Sequence, residues 1–138
     1  MENKRILVVD DSASFRTLMV HILDFMGYQV ATAEDGDEAL PKLAAFQPNL
    51  ILMDVEMPGL NGYEACRRIK SHPATCDIPI LLVSANRDAG EEAIAAGADD
   101  FMAKPFSLDD LVVKIKALTP LDVPLISTAV FGAVSTMA

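Results

Sequence analysis

The chain has 138 residues, 51% of them apolar and 22% charged, which suits one globular domain with a buried core rather than a disordered chain. Its net charge of -9 argues against a direct nucleic-acid interface, because such a surface needs clustered Lys and Arg. No apolar stretch reaches the roughly 18 residues of a membrane span and no signal peptide opens the chain, so a cytoplasmic protein is expected.

The first predicted unit is a strand followed by a helix. An apolar run at residues 6–9 predicts the strand, which stops at the acidic pair Asp10 and Asp11. Apolar residues at helical spacing follow at Phe15, Leu18, Met19, Ile22, Leu23 and Met26. Asp11 or Ser12 can cap this helix, and Gly27 suits the left-handed position that ends it.

The second unit leads into a continuously apolar strand. A strand is predicted at residues 28–32 and a helix at 37–46, in which Pro41 should cause a kink or a delayed start because it lacks a backbone donor. The third strand is predicted at 50–53, where four apolar residues suit a strand buried on both faces. Asp54 follows this strand directly, and a Pro-Gly turn comes soon after it.

The rest of the chain continues the alternation. The third helix faces inward through Tyr63, Cys66 and Ile69. The fourth strand is predicted at 78–83, directly before Ser84, and an alanine-rich helix at 88–96. A short fifth strand at 100–103 stops at Lys104. The last helix has an apolar face made of Leu108, Leu111, Val112, Ile115 and Leu118.

Strands and helices therefore alternate five times, which predicts a parallel sheet covered by helices on both faces. The elements are too short and regular for separate domains, so we expect one doubly wound α/β domain over residues 1–119. Cys66 and Cys76 show no CxxC or metal-ligand spacing and are expected to be reduced thiols.

Polar residues follow four of the five predicted strands. They are Asp10 and Asp11, Asp54, Ser84 and Lys104. The carboxyl ends of parallel strands share one edge of a sheet, so these side chains should lie together. Each close pair of carboxylates costs about 4 kcal/mol at an effective dielectric near 20, and a hard divalent cation such as Mg²⁺ relieves that repulsion. Simple strand capping explains any one of these residues but not the whole set.

This set of groups fits phosphoryl transfer. A carboxylate such as that of Asp54 can attack a phosphoryl group and form an aspartyl phosphate. The transfer requires in-line positioning and neutralisation of charge on the transferring oxygens. Mg²⁺, Lys104 and Ser84 would supply that neutralisation.

Four short motifs, in order and at matching spacing, carry a resemblance to a known family. They are Val8-Val9-Asp10-Asp11, Met53-Asp54-Val55-Glu56-Met57-Pro58-Gly59, Ser84-Ala85 and Lys104-Pro105-Phe106. Over residues 4–118 the sequence resembles a response-regulator receiver domain of two-component systems, of the chemotaxis-type single-domain kind. The resemblance implies a five-stranded parallel sheet in the flavodoxin-like order 2-1-3-4-5 with five helices. It also implies a phosphoacceptor signalling domain that catalyses only its own phosphorylation and dephosphorylation.

The same resemblance assigns roles to the residues at the strand ends. Asp54 is expected to accept a phosphoryl group from a histidine kinase or a phosphotransfer protein. Mg²⁺ would bind Asp11, Asp54 and the backbone carbonyl of Glu56, with Asp10 holding a coordinated water. Lys104 would pair with the phosphoryl group.

Phosphorylation is expected to act through a switch. Ser84 would turn its hydroxyl inward, and Phe101, at the family's aromatic switch position, would follow by packing alone because it has no hydroxyl. The change would reach the face of the fourth helix, fifth strand and fifth helix, where the family docks a downstream protein or output domain or forms a homodimer. The bond before Pro105 is expected to be cis. Glu56 and Asn86 lie where the family tunes access of hydrolytic water.

Three other functions match parts of the pattern. A Mg²⁺-dependent aspartyl phosphatase usually has a second Asp two residues after its nucleophile, where this chain has Glu56, and it needs a cap domain. A flavin-binding or dinucleotide-binding module would want a Gly-rich loop after the first strand, which residues 10–14 do not offer. A receiver-like interaction module that works without phosphorylation normally lacks one of the acids or the lysine, and all are present here.

Residues 120–138 form an apolar C-terminal tail or linker. Residues 125–138 carry no charged side chain, and their apolar positions suit a helix or a strand equally well. The segment is too short to span a membrane. It is either a linker to a further domain or a segment that packs on a partner or a second copy, since an apolar tail is poorly tolerated in solvent.

Overall fold

Five strands alternate with five helices in the computed structural model, which describes residues 4–120. The strands are Arg5–Val9 (β1), Gln29–Ala33 (β2), Leu50–Asp54 (β3), Ile80–Ser84 (β4) and Asp100–Ala103 (β5). The helices are Ala13–Phe25 (α1), Gly36–Phe46 (α2), Gly62–Ser71 (α3), Gly90–Ala95 (α4) and Leu108–Leu118 (α5). The predicted tail lies outside the described residues from residue 121 onward. No helix within residues 4–120 is long and apolar enough to cross a membrane.

The five strands form one parallel sheet in the order β2-β1-β3-β4-β5, which confirms the predicted doubly wound, flavodoxin-like fold. The pairs nearest the carboxyl ends are Val9 with Met53, Asp54 with Val83 and Ser84 with Ala103. Because the strands are parallel and in this register, the residues that follow them emerge together along one edge. We call this the carboxyl edge of the sheet.

Helices cover both faces of the sheet, because successive strand residues point to opposite sides. In β1, Ile6 and Val8 pack on the side of α1 and α5, while Leu7 and Val9 pack on the side of α2, α3 and α4. Cys66 of α3 is buried on the second side. Burial raises the pKa of its thiol to about 11, so the thiol stays protonated at neutral pH.

The start of α2 differs from the prediction. The helix begins at Gly36, and the side chain of Asp35 accepts a backbone N–H of the first turn at 2.8 Å. The delayed start suggested by Pro41 is therefore wrong, and Pro41 lies exposed inside the helix. The cap and the burial of Ala39 and Leu43 outweigh the one backbone hydrogen bond that Pro41 cannot make.

The apolar faces of α1 and α5 are narrower than predicted. Leu18 and Leu108 are each 53% exposed although both lie at helical spacing from buried residues. Leu18 directly precedes the buried Met19 and so lies at the margin of the apolar stripe. The helix α4 is shorter than predicted, and its N-cap residue, Ala89, makes no side-chain cap hydrogen bond.

Candidate functional site

Three carboxylates meet at the carboxyl edge of the sheet. Asp10 and Asp11 follow β1 directly, and Asp54 is the last residue of β3, the strand paired with β1. One oxygen from each of the three lies within 4.8 Å of the others. Asp10 and Asp54 are only 1% and 6% exposed, whereas Asp11 is exposed to solvent. The structure thus brings together the three acids that the sequence singled out.

Lys104 reaches into this acidic cluster from the end of β5. Its Nζ lies 2.8 Å from Oδ2 of Asp10 and 3.7 Å from Oδ1 of Asp54. Its backbone N–H donates to the carbonyl of Ser84 at 2.7 Å, which fixes the chain where β5 ends. The peptide bond between Lys104 and Pro105 is cis, as the family resemblance implied.

Aromatic packing on α1 helps to hold the lysine in place. The ammonium of Lys104 lies 4.2 Å from the centroid of the Phe15 ring, a cation–π contact. Phe106 in turn packs edge-on against Phe15, with ring centroids 6.1 Å apart. The sequence pattern identified Phe15 only as a core residue of α1, because nothing in its spacing shows that the ring lies beside the lysine.

The backbone around Asp10 is tied down on several sides. The N–H of Ser12 donates to Oδ1 of Asp10 at 2.8 Å, and the N–H of Asp10 donates to the carbonyl of Ala33 at 3.1 Å. Arg16 donates from Nη1 to the carbonyl of Asp10 at 2.6 Å, a role for which the sequence offers no signal. These bonds orient the Asp10 carboxylate towards Lys104 and the other acids.

The electrostatics of the cluster favour a bound cation. Burial raises the pKa of Asp54 to about 7, Lys104 opposes this rise, and the charge of Asp10 adds to it. One ammonium does not balance three carboxylates, so ionising all three is costly without further positive charge. The donor set consists of oxygens only, which are the ligands that Mg²⁺ prefers. The residues present therefore fit a hard divalent cation.

A hydroxyl and an acid lie beside the cluster at the ends of β3 and β4. Ser84 is fully buried, and its hydroxyl donates to Oε1 of Glu56. The N–H of Asn86 donates to Oγ of Ser84 at 3.0 Å. The contact with Glu56 was not predicted from the sequence, because it depends on the direction of a loop side chain.

Phe101 lies in β5, paired with Leu82 of β4, on the α4 side of the sheet. It is partly buried and packs against the core shared by α2, α3 and α4. Its Cδ2 lies 3.5 Å from where a side chain on Gly90 would begin, so the ring sits against the start of α4. A movement of this ring would therefore change the packing at the start of α4.

A parallel α/β sheet with an acidic cluster, a lysine and a buried hydroxyl at its carboxyl edge defines a class of signalling domain rather than a classical enzyme. The sequence profile of the family described as "Response regulator receiver domain" matches residues 6–116. The chain therefore belongs to the response regulator receiver family.

Individual relatives agree with this assignment. Response regulator MprA of Mycolicibacterium vanbaalenii is 44% identical over 117 residues, which cover 83% of this chain and 49% of that protein. The chain spans about half the length of the curated relatives it matches.

Solved structures show the same fold. The chemotaxis protein CheY4 of Vibrio cholerae superimposes with a TM-score of 0.79 at 32% identity, covering 85% of this chain and 99% of that one. The response regulator TrrA of Thermotoga maritima, solved in complex with Mg(2+)-BeF, gives a TM-score of 0.76 at 38% identity. That comparison covers 83% of this chain and 98% of the TrrA chain.

Proposed function

We propose that this receiver takes a phosphoryl group on Asp54 from a histidine kinase or a phosphotransfer protein. A carboxylate oxygen of Asp54 forms the new bond to phosphorus as the bond to the donor breaks, and the donor leaves with that electron pair. The observation that carries the proposal is Asp54 itself, nearly buried between two further carboxylates and within 3.7 Å of the Lys104 ammonium. Lys104 is positioned to hold an oxygen of the incoming group.

We infer that Asp10, Asp11 and Asp54 hold Mg²⁺, together with the backbone carbonyl of Glu56. Support comes from the oxygen-only cluster and from TrrA, which was solved in complex with Mg(2+)-BeF. When bound, Mg²⁺ neutralises charge on the transferring phosphoryl oxygens. The protein's own share is to hold the Asp54 carboxyl in place for the donor, while Asp10 anchors Lys104 through their 2.8 Å ion pair.

The response to phosphorylation is proposed to run through Ser84 and Phe101. The Ser84 hydroxyl would donate to a phosphoryl oxygen, and its loop would follow. Phe101 packs against the start of α4, so its movement would alter the face formed by α4, β5 and α5. This face is the proposed docking site for a downstream protein or output domain, or for a second copy of the chain.

We also infer the chemotaxis-type single-domain kind of receiver, acting in the cytoplasm beside its kinase. The near-complete match to the CheY4 chain supports this, whereas the MprA relatives are about twice as long as the matched segment. Measuring the mass of the natural protein from its source cells tests the inference. A mass close to that of 138 residues supports a single domain, and a much larger mass overturns it.

The phosphoacceptor proposal is tested by incubating the protein with Mg²⁺ and a small phosphoryl donor and then weighing it. Wild type is expected to gain the mass of one phosphoryl group, and Asp54→Asn to gain none. The matched control is Asp24→Asn, which changes an exposed acid near the C-terminal end of α1. It should gain the same mass as wild type. Wild type that gains no mass would support the alternative, a receiver-like interaction module that works without phosphorylation.

A further inference from the structure

The side chains of Glu56 and Ser84 are brought together by the pairing of β3 with β4. Asp54 lies beside Val83 in the sheet, and the N–H of Val55 extends this pairing by donating to the carbonyl of Val83 at 2.8 Å. Glu56 directly follows Val55, and Ser84 directly follows Val83. Their side chains therefore meet at the carboxyl edge of the sheet, where Ser84 is the last residue of β4.

The hydrogen-bonding capacity of the Ser84 hydroxyl is committed in this structure. Its oxygen accepts the N–H of Asn86 at 3.0 Å, and its proton is donated to Oε1 of Glu56. A hydroxyl has a single proton to donate. Ser84 is also fully buried, so water does not offer it a ready alternative partner.

We propose that the Glu56 carboxylate is a latch that holds the Ser84 hydroxyl in the unphosphorylated state. This inference rests on the proposed function, in which Ser84 donates its proton to an oxygen on phosphorylated Asp54. The same proton cannot serve both acceptors, so the bond to Glu56 must break before Ser84 can bind the phosphoryl group. Glu56 thus acts as a positioning residue that sets how readily the receiver switches.

A second effect of Glu56 has to be separated from the latch. Its negative charge also repels the negative phosphoryl group directly, without any part for Ser84. The two effects differ in one respect that can be measured. The latch operates only while residue 84 has a hydroxyl, whereas repulsion between charges is the same with or without it.

The test is a double-mutant cycle on the affinity for beryllium fluoride, an analogue of the phosphoryl group, measured by calorimetry in excess Mg²⁺. Glu56→Ala is expected to tighten binding by about tenfold, the effect of one hydrogen bond to a charged acceptor. In the Ser84→Ala background, Glu56→Ala should change the affinity much less, because there is no hydroxyl to release. Glu56→Gln, which keeps an oxygen acceptor but loses the charge, should lie closer to wild type than Glu56→Ala does.

Control measurements make each outcome decisive. Glu91→Ala removes an exposed acid at the start of α4 and should leave the affinity unchanged. An equal effect of Glu56→Ala in both backgrounds, or a Glu56→Gln affinity equal to that of Glu56→Ala, would show simple repulsion and overturn the latch. If wild type itself binds no beryllium fluoride, the proposed function fails, and the latch fails with it. If all variants bind but the cycle shows no coupling, only the latch fails.

Discussion

Opposing electrostatic effects act on the ionisation of Asp54. Burial and the neighbouring acids make its ionisation costly, while the Lys104 ammonium at 3.7 Å makes it less so. Burial prevails, and the pKa of Asp54 rises to about 7. A carboxylate in this position is an acceptor whose charge is only partly compensated by the protein. Without a metal ion, the site therefore works against the stability of the fold.

A stability measurement tests this conflict directly. In the absence of Mg²⁺, Asp54→Asn is expected to be more stable than wild type at pH 8, by on the order of 2–4 kcal/mol. Because folding raises the pKa of Asp54, this carboxyl costs no stability below about pH 4, where it is largely protonated in both folded and unfolded chains, and it lowers the stability of wild type as the pH rises towards 7. The amide side chain of the variant does not ionise, so the difference between the two proteins should grow across that interval. Urea unfolding at several pH values measures it.

Mg²⁺ provides the control for this measurement. A ligand that binds only the folded state stabilises it, so added Mg²⁺ should raise the stability of wild type more than that of Asp54→Asn. A variant that is less stable than wild type at pH 8 without Mg²⁺ would show that the cluster is already balanced by the protein alone.

For individual residues, sequence position predicted which side chains lie together at the carboxyl edge. It did not predict which hydrogen bonds and ring contacts they form. The placement of Asp10, Asp54, Ser84 and Lys104 follows from parallel strands that end at one edge. The cation–π contact of Lys104 and the bond from Ser84 to Glu56 follow from side-chain rotamers and loop directions. A one-dimensional pattern carries no information on those.

At the scale of elements, the backbone of β3 approaches the start of α3 closely behind the site. A Cβ added to Gly62, the first residue of α3, would lie 2.8 Å from Cα of Val55 and would also collide with the carbonyl oxygen of Asp54. The N–H of Gly62 donates to the carbonyl of Val55 at 2.9 Å, which holds the helix against the end of the strand. Glycine is therefore required here by space.

Gly62→Ala is expected to destabilise the protein by about 1–3 kcal/mol, because the backbone that it would touch cannot move aside cheaply. Its matched control is Gly90→Ala at the start of α4, where the new Cβ would be 3.5 Å from Phe101, an ordinary contact. That variant should be neutral or more stable by up to about 1 kcal/mol, since alanine restricts the unfolded chain. Thermal unfolding of both variants compares them. Equal losses would mean that any side chain at a helix start is harmful, and that close approach to β3 is not the cause.

Strands were easier to predict than helix limits, for a physical reason. The fifth strand matches its prediction of 100–103. The third strand, β3, extends only one residue beyond the predicted 50–53, because a strand buried on both faces leaves a continuous apolar run. Helix limits depend on local effects that oppose one another, such as a capping side chain, a proline and the number of buried residues. The Asp35 cap started α2 early despite Pro41, and α4, with only Ala93 buried, shrank to six residues.

At the scale of the whole molecule, hydrogen bonds connect the C-terminal end of α5 to the residue before β2. Thr119 is buried, and its hydroxyl donates to the carbonyl of Ile115 at 2.7 Å. Since that bond uses its one proton, the hydroxyl of Tyr28, 3.2 Å away, is the donor of the bond between them. The end of α5 is thus tied to the residue that directly precedes β2, and we propose that residues 1–119 form the complete receiver domain.

A chain that stops at residue 119 is therefore expected to unfold cooperatively and to bind beryllium fluoride within about twofold of the full chain, because its core and its carboxyl edge are intact. The matched control stops at residue 107 and lacks α5, whose Leu111 and Ile115 are fully buried, and it should not fold. Loss of binding or of cooperative unfolding in the 1–119 chain would place residues 120–138 inside the domain.

Light scattering on the same samples then separates the two interpretations of the tail. A linker leaves the two proteins in the same oligomeric state. A segment that packs on a second copy makes only the full chain form the larger assembly, because the stretch 125–138 carries no charged side chain and is poorly tolerated in water.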